Sequence, residues 1–186
     1  MCIRDRVIYA YVAGYAPLDK RNTVWKSVEA ANPGLKQVAQ VGVVNDSTAA
    51  QTADQVKAAL QAHPGVTAIL APYDEFAKGA VQAVDELKLQ STVKVYGADI
   101  SNADIAVLTA SGSPWVATAA TDPGNVGAVT VRAAYLKATG GSVDSAIEVP
   151  PALITQDVLK SKSITTVPDL VKAFPDLSTP SIAPVK

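Results

Sequence analysis

Five short apolar runs punctuate the chain, and the residues that follow each run are the ones whose types could do chemistry. Gly14, Tyr15, Asp19 and Arg21 follow the first, Asn45 and Asp46 the second, and Tyr73, Asp74 and Glu75 the third. Asp99, Ser101 and Asn102 follow the fourth, and Thr121 and Asp122 the fifth. Carboxylates, a guanidinium, hydroxyls, amides and tyrosines form a set suited to a neutral polyol. Each hydroxyl of such a ligand both donates and accepts, so acceptors such as Asp99 would work beside donors such as Arg21. An aromatic face would cover the apolar side of a ring. Polar residues after strands also cap helices, and that role competes on equal terms for Asp46, Asp74 and Asp122. For Arg21 and Asp99 the ligand role is favoured.

The same inventory removes several reaction classes. His63 is the only histidine and Cys2 the only cysteine, so neither a His-cluster nor a thiolate metal site is available, nor a disulfide framework. Gly-x-Gly-x-x-Gly, Walker A and Gly-x-Ser-x-Gly patterns are all missing, and with them the usual phosphate cradles and nucleophile elbow. His63 falls in a Pro-Gly turn at the far end of the strands, which excludes a Ser/His/Asp triad or a Cys/His pair. Asp74 and Glu75 stand together at a helix start, where the helix dipole should keep them charged as caps rather than as a general acid/base pair. No enzymatic role, metal or cofactor is expected. The net charge of −1 and scattered lysines lack the basic stripe of a nucleic-acid binder.

The elements that must position these residues are legible from periodicity. Val7–Ala13, Gln37–Val44, Thr67–Ala71, Val93–Ala98 and Trp115–Thr121 are short and continuously apolar, as strands buried on both faces of a parallel sheet are. Helical stripes lie between them: Val24, Val28 and Ala31, with Trp25 beside; Ala49, Ala53, Val56 and Leu60; Phe76, Ala80, Ala83 and Leu87. Asp46-Ser47 and Asp74 are expected caps, Asn32-Pro-Gly and His63-Pro-Gly expected stops. The expected fold is α/β, a doubly wound parallel sheet, with Trp115 in its core. Asp122-Pro123 opens a further helix ending at Gly140-Gly141. The Ile147–Ile154 run carries two prolines that forbid a central strand, and a weak helix over 167–174 and a Pro/Ser-rich tail follow.

Several spaced motifs resemble type 1 periplasmic binding proteins of the ribose-binding kind, which feed sugar ABC transporters. Ala68-Ile-Leu-Ala-Pro-Tyr-Asp-Glu-Phe-Ala-Lys-Gly-Ala80 resembles the family's strand, Asn-Asp-Glu and small-residue helix; Val95-Tyr-Gly-Ala-Asp99 resembles its Gly-Phe-Asp strand end. Ala117-Thr-Ala-Ala-Thr-Asp-Pro-Gly-Asn-Val-Gly127 is similar to its crossover, and Gly14 through Arg21 to the loop and helix that bring an arginine to the sugar. The resemblance implies that Arg21 and Asp99 fall on sugar-binding positions, with Tyr73 and Thr121 at two more; Asp74 and Tyr15 join them as candidate contacts because they follow strands at the same rim. Tyr73 stands where ribose binders have asparagine and Thr121 where they have glutamine, so ribose itself is not the expected ligand.

The resemblance also implies a division of the chain. Residues 1–6 read as a non-native leader, 7–121 as the carboxy-terminal ligand-binding lobe, 122–146 as a helix belonging to an absent amino-terminal lobe, and 147–186 as the last hinge crossing and tail. The implied partners are a sugar or polyol and, through the complete protein, an ABC permease. The complete protein would be a monomer, periplasmic or lipid-anchored outside the cell. The effector domain of a lac-repressor-type regulator, which shares the fold, is the alternative.

Overall fold

The computed structural model describes residues 5–184. Six strands, β1 (Asp5–Ala10), β2 (Leu35–Val41), β3 (Val66–Ala71), β4 (Lys94–Ala98), β5 (Trp115–Ala120) and β6 (Ala152–Thr155), form one sheet in the order β2-β1-β3-β4-β5-β6. The first five run parallel, as the expected strands require, and β6 pairs antiparallel with β5 at the edge. Pro150 and Pro151 lie just before β6, so neither removes a donor from a ladder. The helices are α1 (Ala16–Ala31), α2 (Thr48–Ala62), α3 (Asp74–Glu86), α4 (Asn102–Thr109), α5 (Pro123–Ala138), α6 (Gln156–Ser161) and α7 (Val167–Ala173). The short α4 and α6 answer to no helix named from the sequence.

Side-chain alternation along the strands separates two faces of very different size. Ile8, Ile69, Val95 and Ile154 point into the main core, where they meet Val56 and Leu60 of α2, Phe76, Ala80 and Ala83 of α3, and Ile105 and Leu108 of α4. Leu159, Leu170 and Leu177 extend that core. Among the described residues the other face carries Val7, Tyr9 and Trp25 as its buried cluster, with Tyr11, Leu35, Ala68 and Leu70 partly buried around it.

Two glycines are fixed by close approach. A Cβ on Gly79 would stand 2.4 Å from the Ala49 carbonyl, where α3 crosses α2. One on Gly97 would stand 2.7 Å from the Trp115 ring, which is fully buried beneath β4. Gly42 adopts φ +123 and turns the chain out of the sheet, which is why β2 stops short of the expected Val44.

Three local expectations are corrected. The stripe Val24, Val28 and Ala31 does not face a core: Val24 is 63% and Val28 39% exposed, and α1 instead buries Leu18 and Trp25. Asp46 does not cap α2. The N-cap is Ser47, the second residue of the expected Asp46-Ser47 pair, and Asn45 closes the turn before it: its side chain accepts from the Ser47 amide at 2.8 Å and its backbone amide donates to Thr48 Oγ1 at 2.9 Å. Asp74 likewise lies one residue inside α3, behind Tyr73. Asp122 does cap α5, accepting from the Gly124 amide at 2.9 Å. The helix α5 is tied to the tail rather than to the sheet: Asn125 and Thr179 exchange two hydrogen bonds, and Arg132 donates to the Thr179 and Ile182 carbonyls.

Candidate binding site at the strand ends

Arg21 and Asp99 meet at the carboxyl end of the sheet. The Arg21 guanidinium donates through Nη2 to Asp99 Oδ1 at 2.7 Å and through Nη1 to Asp99 Oδ2 at 3.0 Å, a planar two-point pair. Nη1 also donates to the Pro72 carbonyl at 2.6 Å, which ties α1 to the loop after β3. Both side chains are only partly covered, so the pair faces open space and can share its donors and acceptors with a ligand.

The backbone beneath Asp99 is held with unusual care. Its φ is +74, the left-handed region that a non-glycine residue enters at a cost. β5 fixes it from two directions: the Asp99 amide donates to the Ala119 carbonyl at 2.9 Å, and Thr118 Oγ1 donates to the Asp99 carbonyl at 2.8 Å. The strain turns the carboxylate off the line of β4 and towards α1.

A second set of bonds places Arg21. Tyr9 stacks on Trp25 with ring centres 5.4 Å apart, and Trp25 Nε1 donates to Gln37 Oε1 at 2.7 Å, so α1 is pinned over β1 and β2. At its start, Asp19 accepts from Tyr11 Oη at 2.7 Å and from the Gly14 amide at 3.3 Å. Gly14, at φ +92, makes the turn that a side chain would resist.

Arg21, Asp99 and Thr121 line a concavity of about 840 Å³, together with Pro72, Ala119, Val149 and Pro151. Tyr73, Asp74 and Tyr15 do not line it. Tyr73 packs edge-on against Phe76, 5.2 Å between ring centres, and burial raises its hydroxyl pKa above the ordinary value. Tyr15 precedes α1 and is exposed.

Asp74 belongs to a different cluster. Burial first, then the charge of Asp104, pushes its carboxyl up to about 6, against the expectation that the helix dipole alone sets its charge. Asp104 is fully buried and neither oxygen has a hydrogen-bond partner. Lys78 Nζ lies 3.7 Å away and also pairs with Glu75. Sequence reasoning missed this triad; its only signal was a carboxylate at an apolar position of α4. Among the described residues no group of three or more His, Cys, Asp or Glu could hold a metal ion.

Comparison with known proteins agrees with the fold. A family model described as a periplasmic binding protein domain matches residues 7–142. The 5-methylthioribose transporter solute-binding protein of Thermotoga lettingae, solved with 5-methylthioribose, is 42% identical over 95% of this chain and 55% of its own, with a TM-score of 0.92. A sugar ABC transporter protein of Yersinia enterocolitica is 30% identical over 97% of this chain and 56% of its own, with a TM-score of 0.87. A carbohydrate transporter solute-binding protein of Agrobacterium radiobacter, bound to D-arabinose, is 27% identical over 86% and 53%, with a TM-score of 0.74. No curated protein matches the chain. The chain thus spans little more than half the length of these solved relatives, and within that span it belongs to the periplasmic binding protein domain family.

Proposed function

We propose that the complete protein binds a sugar or polyol outside the cytoplasm and delivers it to an ABC-type importer, without catalysing a reaction. The observation that carries this reading is the Arg21–Asp99 pair, presented at the strand ends on a strained backbone. The pair offers guanidinium donors and carboxylate acceptors in one plane, which is what adjacent ring hydroxyls require. Thr121, which lines the same concavity, adds a third polar contact. The apolar Ala119, Val149 and Pro151 beside the pair suit a sugar that carries a non-polar substituent. 5-Methylthioribose, bound by the relative that is 42% identical, is therefore the first ligand to try, ahead of unsubstituted pentoses.

In this reading residues 7–121 form most of one lobe and the 122–146 segment belongs to the other. Val126, Val131 and Tyr135 are exposed along α5 and would pack against that other lobe. Closure of the two lobes would trap the solute, and the closed monomer would be what the permease receives. Transport proteins among the solved relatives favour this role over an effector domain of a repressor. The test is a thermal-shift screen of pentoses, hexoses, polyols and 5-methylthioribose on the chain restored to the length of its relatives. A rise in melting temperature with one of them supports the reading; no rise with any of them sinks it.

A further inference from the structure

Helix α5 leaves the sheet through Thr121 and Asp122, and the chain returns to the sheet only at Ala152, where β6 begins. Asn125 and Val129, the buried residues of α5, and Arg132 are spaced by four and three, so they share one face. Two members of that face grip the tail. Asn125 Nδ2 donates to Thr179 Oγ1 at 2.8 Å, and the Thr179 amide donates back to Asn125 Oδ1 at 3.1 Å. Arg132 Nη2 donates to the Thr179 and Ile182 carbonyls, both at 3.1 Å, and Nε donates to Ile182 at 3.3 Å. Leu177, two residues before Thr179, is 1% exposed and belongs to the main core with Ile154, Leu159 and Leu170. Only Ser178 lies between the two anchors, which can therefore stand no more than about 7 Å apart.

We propose that residues 177–182 are a strap across the hinge of the complete protein, resting on the reading above that α5 belongs to the other lobe. A helix joined to the sheet through Thr121 and Asp122 alone could pivot there. Asn125 and Arg132 are about 10 Å apart along the helix axis, and both are held by a segment rooted in the core beneath the sheet. Two grips at that separation fix the angle of α5 as well as its position. A rotation that swings α5 away from the edge formed by β5 and β6 must break both, because Ser178 gives no slack. The Arg132 bonds have a charged donor and the Asn125 pair is buried, so breaking them is costly. The strap therefore limits how far the lobes open without a solute. Wider states would dilute the binding-competent one and weaken apparent affinity by the fraction they take.

The test is a distance between two spin labels in a chimera restored to full length with the remaining portion of the Thermotoga lettingae protein. In a Cys2→Ser background, Ser111→Cys carries one label in the turn after α4 and Lys137→Cys the other near the end of α5; both positions are exposed. Without sugar, the intact strap should give one narrow distance distribution by double electron–electron resonance. Arg132→Met combined with Asn125→Ala should shift that distribution to longer distances and broaden it. Identical distributions in the two unliganded proteins overturn the proposal. Hydrogen exchange of the α5 amides separates hinge opening from fraying: protection kept in the variant supports the strap, and protection lost overturns it. Should the chimera fail to fold, the same labels in this chain replace it, where a longer distance in the variant supports the proposal and an unchanged one overturns it. Sugar binding is read separately. A longer unliganded distance in the variant, with no sugar bound by either protein, would remove the transport reading and leave the strap standing.

Discussion

The two faces of the sheet obey the same alternation but reach opposite ends of packing. One face is sealed by α2, α3 and α4, with Phe76, Ile69 and Ile105 excluded from solvent. The other holds a three-residue cluster and a trough, and its apolar side chains meet water. The contrast teaches that apolar patterning alone does not make a core: an element must be there to receive it. It also predicts that equivalent substitutions on the two faces will differ greatly in cost.

The largest effect is expected on the sealed face. Phe76→Ala should destabilise the chain by about 3–5 kcal/mol, measured by urea denaturation, because it opens a cavity among fixed neighbours. Lys78→Met should cost about 3 kcal/mol, since it removes the cation that lies 3.7 Å from the buried, otherwise unpartnered Asp104 carboxyl. Asp74 gives a smaller effect with a definite pH signature. Its folded pKa is raised, to about 6 from 3.8, so the folded state holds a proton that the unfolded state releases. Its ionisation therefore opposes folding above about pH 6, and stability should rise as pH falls from about 6 towards 4. Asp74→Asn should remove that slope and stabilise the chain at pH 7 by about 1 kcal/mol after allowance for solvent screening, read from melting curves across pH. The smallest effect belongs to the open face. Val24→Ser should change the stability of this chain by no more than about 0.5 kcal/mol, and a larger loss would mean that the face is already covered.

The parts of this molecule that were legible in the sequence are those set by one element at a time. Five strands and the stripes of α2 and α3 follow from local period. Arg21 and Asp99 stood out because strand ends in parallel sheets converge on one rim. What depended on two elements was hidden. The left-handed backbone of Asp99 is imposed by β5, through Ala119 and Thr118, and nothing in the residues around position 99 announces it. In α1, Leu18 and Trp25 are seven apart and also fit a helical period, so the pattern could not say which apolar stripe would find a partner. Asp74 was assigned its charge from the helix dipole alone, because Asp104, thirty positions on, enters its surroundings only through the fold.

The central claim is that the Arg21–Asp99 pair holds a sugar. Isothermal titration of the full-length chimera with 5-methylthioribose, alongside Asp99→Asn, tests it most directly. Asparagine tolerates the left-handed backbone that position 99 requires, so the fold should be kept while the charged acceptor is lost. The account predicts measurable binding and a loss of about 2 kcal/mol in the variant, roughly thirtyfold in Kd. Equal affinity in the two proteins would contradict it.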